Sequence, residues 1–489
     1  MRSIILVMAL GVFGCTKHNP DSCCSTNVEC SSLGIDQITG CDSGKTCNGM
    51  GTCIAAQCTT SADCATATLP VCSNQLCVAT CSTDDECVGI EGRPLCAPDG
   101  VCVGCTDSAQ CTAAMTPVCD TTGRACRGCS EDIECPSDVC IDATGTCATS
   151  DEVIHVSSFG SDGSDGSVSA PYRTLTFALT KVSATKNVVH IDTTMFTPGT
   201  ATTITGKRVI IDGIDTTLTP TSGNVMFTIG AQSNVTLERV SITGGADAAI
   251  VVQTGTVLLY DVTVGHSTTA DAVQASGGEL DIDKGTFSEG FNGHYAFSCS
   301  NGGVVHVNRS TFTKVSVATT NCELELRRST FTNQMDGGLQ IANGKVTIEN
   351  NVFSNGGATP DDSAISNVLA GSMLRFNTFV AYDTSADRSG VALSCDSSIA
   401  VSSNIFAYGQ NAVYGGSPTY SLFDDARTMP ATGNNVLATL PQIFVSATDF
   451  HLSTTSPARG KGEPGTDIGV DLEGNARPAA PDIGAYQTH

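Results

Sequence analysis

The 489-residue sequence contains no tryptophan, few other aromatic residues and few basic ones. Its 24 Lys and Arg residues are outnumbered by 49 Asp and Glu residues, which gives a formal net charge of −25. A chain this acidic is repelled by phosphate backbones, so we expect no nucleic-acid partner. Long apolar runs are also scarce. Residues 4–13 form the only one, and it is too short to span a bilayer as a permanent helix.

The first fourteen residues have the pattern of an export signal, because Arg2 supplies a positive charge before the apolar run. The run ends in Val12-Phe13-Gly14-Cys15, which resembles a bacterial lipobox. The resemblance implies a lipoprotein acylated at Cys15 and held at the membrane by lipid. Thr16 replaces the aspartate that retains some lipoproteins in the inner membrane, so the analogy favours the outer membrane and cell surface. The alternative is an ordinary signal peptide whose Cys15 enters a disulfide.

Cysteine is abundant only near the N-terminus, where 23 of the 26 cysteines precede residue 151. This density is typical of small exported folds that lack an adequate apolar core. From residue 58 the spacing repeats with periods of 23, 24 and 24 residues, which predicts four modules of four cysteines each. The sixteen cysteines are Cys58, Cys64, Cys72, Cys77, Cys81, Cys87, Cys96, Cys102, Cys105, Cys111, Cys119, Cys126, Cys129, Cys135, Cys140 and Cys147.

We expect these cysteines to form disulfides, although each module permits three pairings and the sequence does not choose among them. Zinc is the alternative, because Cys102 with Cys105 and Cys126 with Cys129 have the spacing of zinc ligands, but export favours disulfides. The modules resemble the cysteine-rich repeats of myxobacterial-type surface lipoproteins, which implies a spacer or an interaction surface.

The composition changes near residue 150, so we predict separate structural regions. A signal peptide and lipobox occupy residues 1–15, and a cysteine-containing linker follows over residues 16–57. The four modules extend over residues 58–150. Residues 151–489 are predicted to form a parallel β-helix with an N-terminal cap and a C-terminal closing segment.

The β-helix prediction rests on a repeat of apolar anchor residues with spacings of 22, 23, 25, 19, 22, 26 and 27 residues. Apolar residues five and seven positions before an anchor alternate as in a strand, although Ser372 interrupts the pattern before Phe379. Such a solenoid coil buries its apolar face only by stacking on the next coil. The anchors are Ile242, Val264, Phe287, Phe312, Phe331, Phe353, Phe379 and Phe406.

Asn351, Asn377 and Asn404 lie two positions before an anchor. We expect them at a corner between strands, with left-handed backbones and stacked amides. An antiparallel sandwich or propeller would instead show evenly spaced hairpin signals, which the sequence does not contain.

Both ends of this region resemble bacterial extracellular proteins of the pectate-lyase-like class. The first resemblance runs from Val153-Ile154-His155-Val156 through a short helical stretch around Ala178 and Leu179, and the second includes Asp482-Ile483-Gly484-Ala485-Tyr486. It implies an all-β fold, a right-handed parallel β-helix solenoid. It implies no single activity, because the class contains lyases, hydrolases, epimerases, adhesins and proteins without a known reaction.

In the polysaccharide-acting members of that class the substrate lies across one outward strand face. The matching positions here, four and six before the anchors, hold Asp281, Asp283, His306, Glu325 and Arg327 on three neighbouring coils. Oxygen ligands from Asp281, Asp283 and Glu325 suggest Ca²⁺ as the one cofactor, with Arg327 as a base for uronate elimination. Asp281 with Asp283 also offers the carboxylate pair of a hydrolase. Alternatively, these charges merely stabilise solvent-facing strands.

Three cysteines lie in the predicted β-helix. The sequence leaves a disulfide between Cys299 and Cys322 open, because they are one coil apart but lie 13 and 9 residues before their following anchors. We expect Cys395 to be a buried small residue.

These observations predict an envelope-anchored, non-catalytic surface protein whose β-helix binds a glycan or mediates adhesion. The alternative is a carbohydrate-active enzyme, a Ca²⁺-dependent polysaccharide lyase or a glycoside hydrolase, acting on the outward face. A third hypothesis is a purely structural envelope component. The expected partners are the membrane, through the lipid, and a cell-surface glycan, and the sequence does not fix an oligomeric state.

Overall fold

The computed structural model describes residues 92–488 with short internal gaps, together with Asp84 and four short strands closer to the N-terminus. The predicted export signal and Cys15 lie outside the described residues. Contacts divide the chain into two compact units, residues 1–130 with 489 and residues 131–488. Within the described part, no helix is long and apolar enough to cross a membrane. The gaps are 194, 197–201, 220–224, 244–246, 266–269, 289–293, 334–337, 356–362, 369–370, 381–390, 396–397, 408–410, 427–428 and 467–468.

Short antiparallel hairpins recur in the first unit, and in each of them two cysteines lie opposite one another. These are the third and fourth cysteines of a predicted module, as in Cys96 with Cys102. The same arrangement occurs at Cys47 and Cys53, which precede the predicted modules. The strand pairs are Lys45–Cys47 with Cys53–Ala55, Val71–Ser73 with Leu76–Val78, Leu95–Cys96 with Cys102–Val103, and Val118–Asp120 with Ala125–Arg127.

In the third module, disulfides join the first cysteine to the third and the second to the fourth, as Cys105–Cys119 and Cys111–Cys126. In the second unit, Cys135–Cys147 repeats the second-to-fourth pairing. The zinc alternative is wrong, because Cys102, Cys105, Cys126 and Cys129 are all disulfide-bonded and offer no thiolate.

The second unit begins with the end of the fourth module, where a 3-10 helix, Asp132–Glu134, precedes the hairpin of Cys140–Ile141 with Thr146–Cys147. The chain then winds into a parallel β-helix, which confirms the predicted fold class. Each regular coil has three strands, one on each of three faces that we call A, B and C.

Faces A and B meet at a sharp bend, and two long strands, Arg208–Leu218 and Asn234–Ile242, extend through that bend from face A onto face B. The other face A strands are Val153–Val156, Val188–Ile191, Thr256–Tyr260, Glu279–Asp283, Val304–Asn308, Glu323–Arg327, Lys345–Glu349, Met373–Arg375 and Ala400–Ser402. The other face B strands are Met195–Phe196, Thr263–Gly265, Thr286–Ser288, Thr311–Thr313, Thr330–Thr332, Val352–Ser354, Thr378–Val380, Ile405–Ala407, Leu422–Phe423 and Val436–Leu437.

Face C is a ten-stranded parallel sheet that closes each coil. Its strands are Thr202–Ile204, Phe227–Ile229, Ile250–Val252, Val273–Ser276, Tyr295–Ser300, Ser316–Thr320, Leu339–Ala342, Ser363–Val368, Val391–Cys395 and Asn411–Tyr414.

The anchor residues form a buried stack inside face B, as the repeat predicts. Seven phenylalanines from Phe287 to Phe423 follow one another with ring centroids 4.4 to 5.2 Å apart. The coil before Phe379 keeps the same register, since Leu374 pairs with Ile348 and Val401. Ser372 fits because its buried hydroxyl accepts a hydrogen bond from the Val346 amide at 3.1 Å.

The bend between faces A and B uses one residue with a left-handed backbone in each coil. The predicted positions, Asn351, Asn377 and Asn404, are wrong by one residue, because the positive φ belongs to the residue before each of them. The preceding residue makes the turn, and the asparagine then points inward. The amide stack itself is confirmed, since Nδ2 of Asn351 donates to Oδ1 of Asn377 and Nδ2 of Asn377 to Oδ1 of Asn404, both at 3.0 Å.

Segments outside the three faces pack against the solenoid near its beginning and along its side. The predicted N-terminal helix is present as Leu175–Lys181, with Thr174 as its N-cap and Leu175, Ala178 and Leu179 buried. After a short helix, Leu440–Ile443, the closing segment continues over residues 444–488 and packs on the A–B bend, where the Arg477 guanidinium lies 4.3 Å from the Phe376 ring.

Candidate functional site

The fourth cysteine module covers the beginning of face A, within the second unit. Val139, Ile141 and Ala148 of the module form one apolar cluster with Val153 and Val188 of the first strands, and Ile210 packs against it. The outward row of polar side chains on these strands is therefore buried. Its members are His155, His190, Asp212 and Glu238.

An arginine neutralises the acidic groups under this module. The Arg239 guanidinium donates to Asp132 of the module at 2.8 and 2.9 Å and to Asp212 of face A at 2.8 and 2.9 Å. His190 lies beside it, with Nδ1 2.6 Å from Asp212 Oδ2. Burial alone would lower the pKa of His190, but Asp212 and Asp192 raise it above its ordinary value. This cluster therefore fastens the module to the β-helix.

Two carboxyl groups in the same region are poorly satisfied. Glu238 accepts a hydrogen bond from the Ala143 amide at 3.1 Å, but its Oε1 is buried without a partner, as is Oδ1 of Asp142. Burial and the neighbouring Asp212 raise the pKa of Glu238 well above its usual range. Burial raises the pKa of Asp142 to about 6, although Arg239 opposes the shift.

Face A becomes solvent-accessible beyond Tyr260. The structure brings all five predicted site residues together on three adjacent strands of this open part. Asp281, His306 and Glu325 are direct neighbours in one row, and Asp283 and Arg327 lie in the next row with Asn308 between them.

Arginines hold most of the predicted carboxylates. The Arg309 Nε donates to Asp283 at 2.8 Å. Arg327 Nε lies 2.9 Å from Glu325 and 3.2 Å from Glu349, which also pairs with Arg375. Asp283 and Glu325 therefore occupy separate ion pairs. Asp281 and Asp283 share a strand, but their carboxylates have different partners.

A different group of ligand atoms converges on the open face. Among the described residues, Glu279, Asp281 and His306 each direct one nitrogen or oxygen atom into a cluster in which all lie within 4.8 Å of one another. His306 Nδ1 is 2.7 Å from Asp281 Oδ1 and 4.0 Å from Glu279 Oε1. Burial raises the pKa of Asp281, the hydrogen bond to His306 opposes this shift, and Glu279 adds to it.

Sequence reasoning missed two kinds of site residue. Glu279 lies eight positions before its anchor, one step beyond the two rows that were considered, so a third row would have found it. Arg309 and Lys284 occupy the left-handed bend three positions before their anchors. Lys284 donates to the Tyr260 hydroxyl at 2.8 Å, at the edge of the covered region. The sequence pattern that would have found Arg309 and Lys284 is a basic residue three positions before an anchor.

The doubtful cysteine pair is joined. Cys299 and Cys322 form a disulfide with a Cα separation of 6.1 Å, so their unequal offsets from the anchors do not prevent pairing. Cys299 is the last residue but one of a face C strand, whereas Cys322 follows the end of the next face C strand by two residues, so the bridge joins successive coils. Cys395 remains a thiol and is half-buried rather than buried.

Comparisons with known proteins give little further guidance. No protein-family model and no curated protein matches the chain. A solved structure of the pectate lyase Pel9A is 14% identical, and the match covers 70% of this chain and 97% of that one with a TM-score of 0.31. A rhamnogalacturonan lyase is 11% identical over 52% of this chain and 87% of that one, with a TM-score of 0.19. At this level of similarity, neither structure indicates an activity for this chain.

Proposed function

We propose that the protein is an exported, lipid-anchored envelope protein that binds a glycan along open face A without transforming it. The observation that carries the proposal is the ladder of paired charges from Asp283 to Arg375, in which arginines and carboxylates fix one another. Fixed donors and acceptors that recur at the strand spacing of about 4.8 Å suit a polymer that repeats hydroxyl groups along its length.

The same pairing argues against turnover at the residues chosen from the sequence. A hydrolase needs one carboxyl group that holds a proton and a second that is free to act as base or nucleophile. Asp283 and Glu325 are instead committed to Arg309 and Arg327. Arg327 Nε in turn lies within 3.2 Å of two carboxylates, so this nitrogen is already engaged as a hydrogen-bond donor.

The proposal is tested with the full-length protein and a panel of immobilised neutral and acidic polysaccharides, with and without Ca²⁺. We expect binding to at least one polysaccharide, and Arg327→Ala should weaken it roughly ten- to a hundredfold, because a charged hydrogen-bond donor contributes roughly 1.5–3 kcal/mol. Arg173→Ala, at an exposed position far in sequence from the open part of face A, is the control and should bind normally.

Product assays in the same reactions separate the alternatives. New reducing ends, or unsaturated uronate absorbance that depends on Ca²⁺, would replace the binding proposal with a hydrolase or a lyase. Absence of binding across the panel would leave the purely structural hypothesis.

The lipid anchor is tested separately, since Cys15→Ser should move the protein from the membrane fraction to the soluble fraction.

A further inference from the structure

Glu279, Asp281 and His306 form a compact set of ligands in the middle of open face A. Glu279 and Asp281 are two residues apart on one strand and so point to the same side. His306 is the direct neighbour of Asp281 on the next coil. Two fixed strands therefore place one imidazole and two carboxylates together without help from a loop.

The charge of this set is not balanced by arginine or lysine. For the described residues, the salt bridges of Glu279 and Asp281 involve His306 alone. The neighbouring acids differ, because Asp283, Glu325 and Glu349 each pair with an arginine. An otherwise neutralised ladder thus has one site where two partly buried carboxylates lack a permanent cation.

We propose that Glu279, Asp281 and His306 bind a divalent transition metal ion, with Zn²⁺ as the representative ion. Imidazole nitrogen with carboxylate oxygen suits Zn²⁺ and its neighbours in the transition series, whereas Ca²⁺ takes six to eight oxygen ligands. Three protein ligands leave a coordination position for water on the solvent side. This site shares Asp281 alone with the Ca²⁺ set expected from the sequence and takes a different ion, and it does not depend on glycan binding.

The three ligand atoms are already close to the spacing that a bound ion requires. The three ligand atoms lie within 4.8 Å of one another, and His306 Nδ1 already contacts Asp281 Oδ1 at 2.7 Å. Tetrahedral ligands at about 2.0–2.2 Å from a zinc ion are about 3.4 Å from one another. Glu279 would therefore move slightly closer to His306, and Asp281 would move slightly away from it. The ion replaces the direct contact between His306 and Asp281 and leaves the strands in place.

The test is calorimetric titration of the full-length, EDTA-dialysed protein with ZnCl₂ and separately with CaCl₂. The wild-type protein should bind Zn²⁺, and Asp281→Asn and His306→Gln should each lose one equivalent or bind it at least tenfold more weakly. Asp283→Asn is the matched control, because it lies on the same strand but pairs with Arg309. Its Zn²⁺ binding should equal that of the wild type.

Circular dichroism melting curves establish that each variant is folded before titration. Zn²⁺ binding that is unchanged in both Asp281→Asn and His306→Gln would overturn the site. An equal loss in Asp283→Asn would show a general effect of surface charge and would also overturn it. Ca²⁺ binding that is as tight as that of Zn²⁺ and insensitive to His306→Gln would overturn the assignment to a transition metal.

Discussion

Buried amides at the A–B bend show how single residues hold successive coils together. Asn377 donates to the Ile348 carbonyl at 2.8 Å and to Asn404 Oδ1 at 3.0 Å, and its own Oδ1 accepts from the Asn351 amide at 3.0 Å. Every polar atom of this side chain is therefore satisfied, as a buried amide requires. The unpartnered carboxyl oxygens of Glu238 and Asp142 are the contrasting case.

The Asp142 carboxyl makes stability depend on pH. Because burial raises its pKa to about 6 in the folded protein, against about 3.9 in an unfolded chain, protonation favours the folded state. Its contribution is complete below about pH 4, decreases as the pH rises to about 6, and is then constant. We expect Asp142→Asn to remove roughly 1–2 kcal/mol of this dependence.

Urea midpoints of the wild type and Asp142→Asn at pH 4 and pH 7 measure the effect. The variant should gain stability relative to the wild type at pH 7 but not at pH 4. Asp138→Asn, at an exposed position in the same module, is the control. Its urea midpoint should depend on pH in the same way as that of the wild type. Equal pH dependence in Asp142→Asn and the wild type would contradict the argument.

Single positions mark the limit of prediction from this sequence. The asparagine stack could be predicted, because buried amides repeat at a fixed offset from the anchors. The left-handed residue could not, since bend positions hold Arg239, Asp261, Lys284 and even Phe376, which share no chemistry. Their common feature is the geometry of the turn from face A to face B.

At the level of strands, the phenylalanine stack supplies the interior of face B. Phe331 is fully buried between Phe312 and Phe353, with ring centroids 4.4 and 4.8 Å away. We expect Phe331→Ala to cost about 3–5 kcal/mol, because a buried cavity remains between two coils. Phe159→Ala is the control, since that ring is 93% exposed, and it should cost less than about 0.5 kcal/mol. Denaturant midpoints give the comparison, and similar midpoints for the two variants would contradict it.

The strands were the most predictable elements, and the reason is physical. Alternation with a period of two locates face A, and the single anchor locates face B, because each must direct apolar side chains to one interior. Face C carried a weaker signal. Its inward residues include small ones such as Ala275 and Thr319, and loops of changing length precede its strands. Glu279 was missed for a related reason, because its row lies at the edge of face A.

For the whole molecule, the docked module determines where face A begins to be accessible. The sequence could not predict this, because Arg239 binds Asp132 across 107 residues of chain. The contacts place the last cysteine module and the β-helix in one compact unit that starts at residue 131. The covered strands therefore form part of an interior, although their polar residues resemble a surface.

This arrangement predicts different stabilities for two fragments. Residues 129–489 keep the fourth module, whereas residues 151–489 expose Val153, Val188 and Ile210 and leave Arg239 without Asp132. The shorter fragment should melt roughly 5 °C or more below the longer one, as expected for a loss of a few kcal/mol. Calorimetric scans of both fragments and of the full-length protein provide the measurement. Equal melting temperatures for the two fragments would show that the module contributes nothing to the β-helix.

The disulfide between Cys299 and Cys322 has a mechanical consequence. The strands run across the solenoid axis, so tension applied between the two ends opens the hydrogen bonds of one coil after another. The bridge joins residues 23 apart on successive coils, so the chain between them cannot be pulled straight while the disulfide is intact. A fully extended stretch of this size measures about 75 Å. The maximum length that the oxidised molecule reaches under tension should therefore be shorter by about that amount than the maximum length of the reduced molecule.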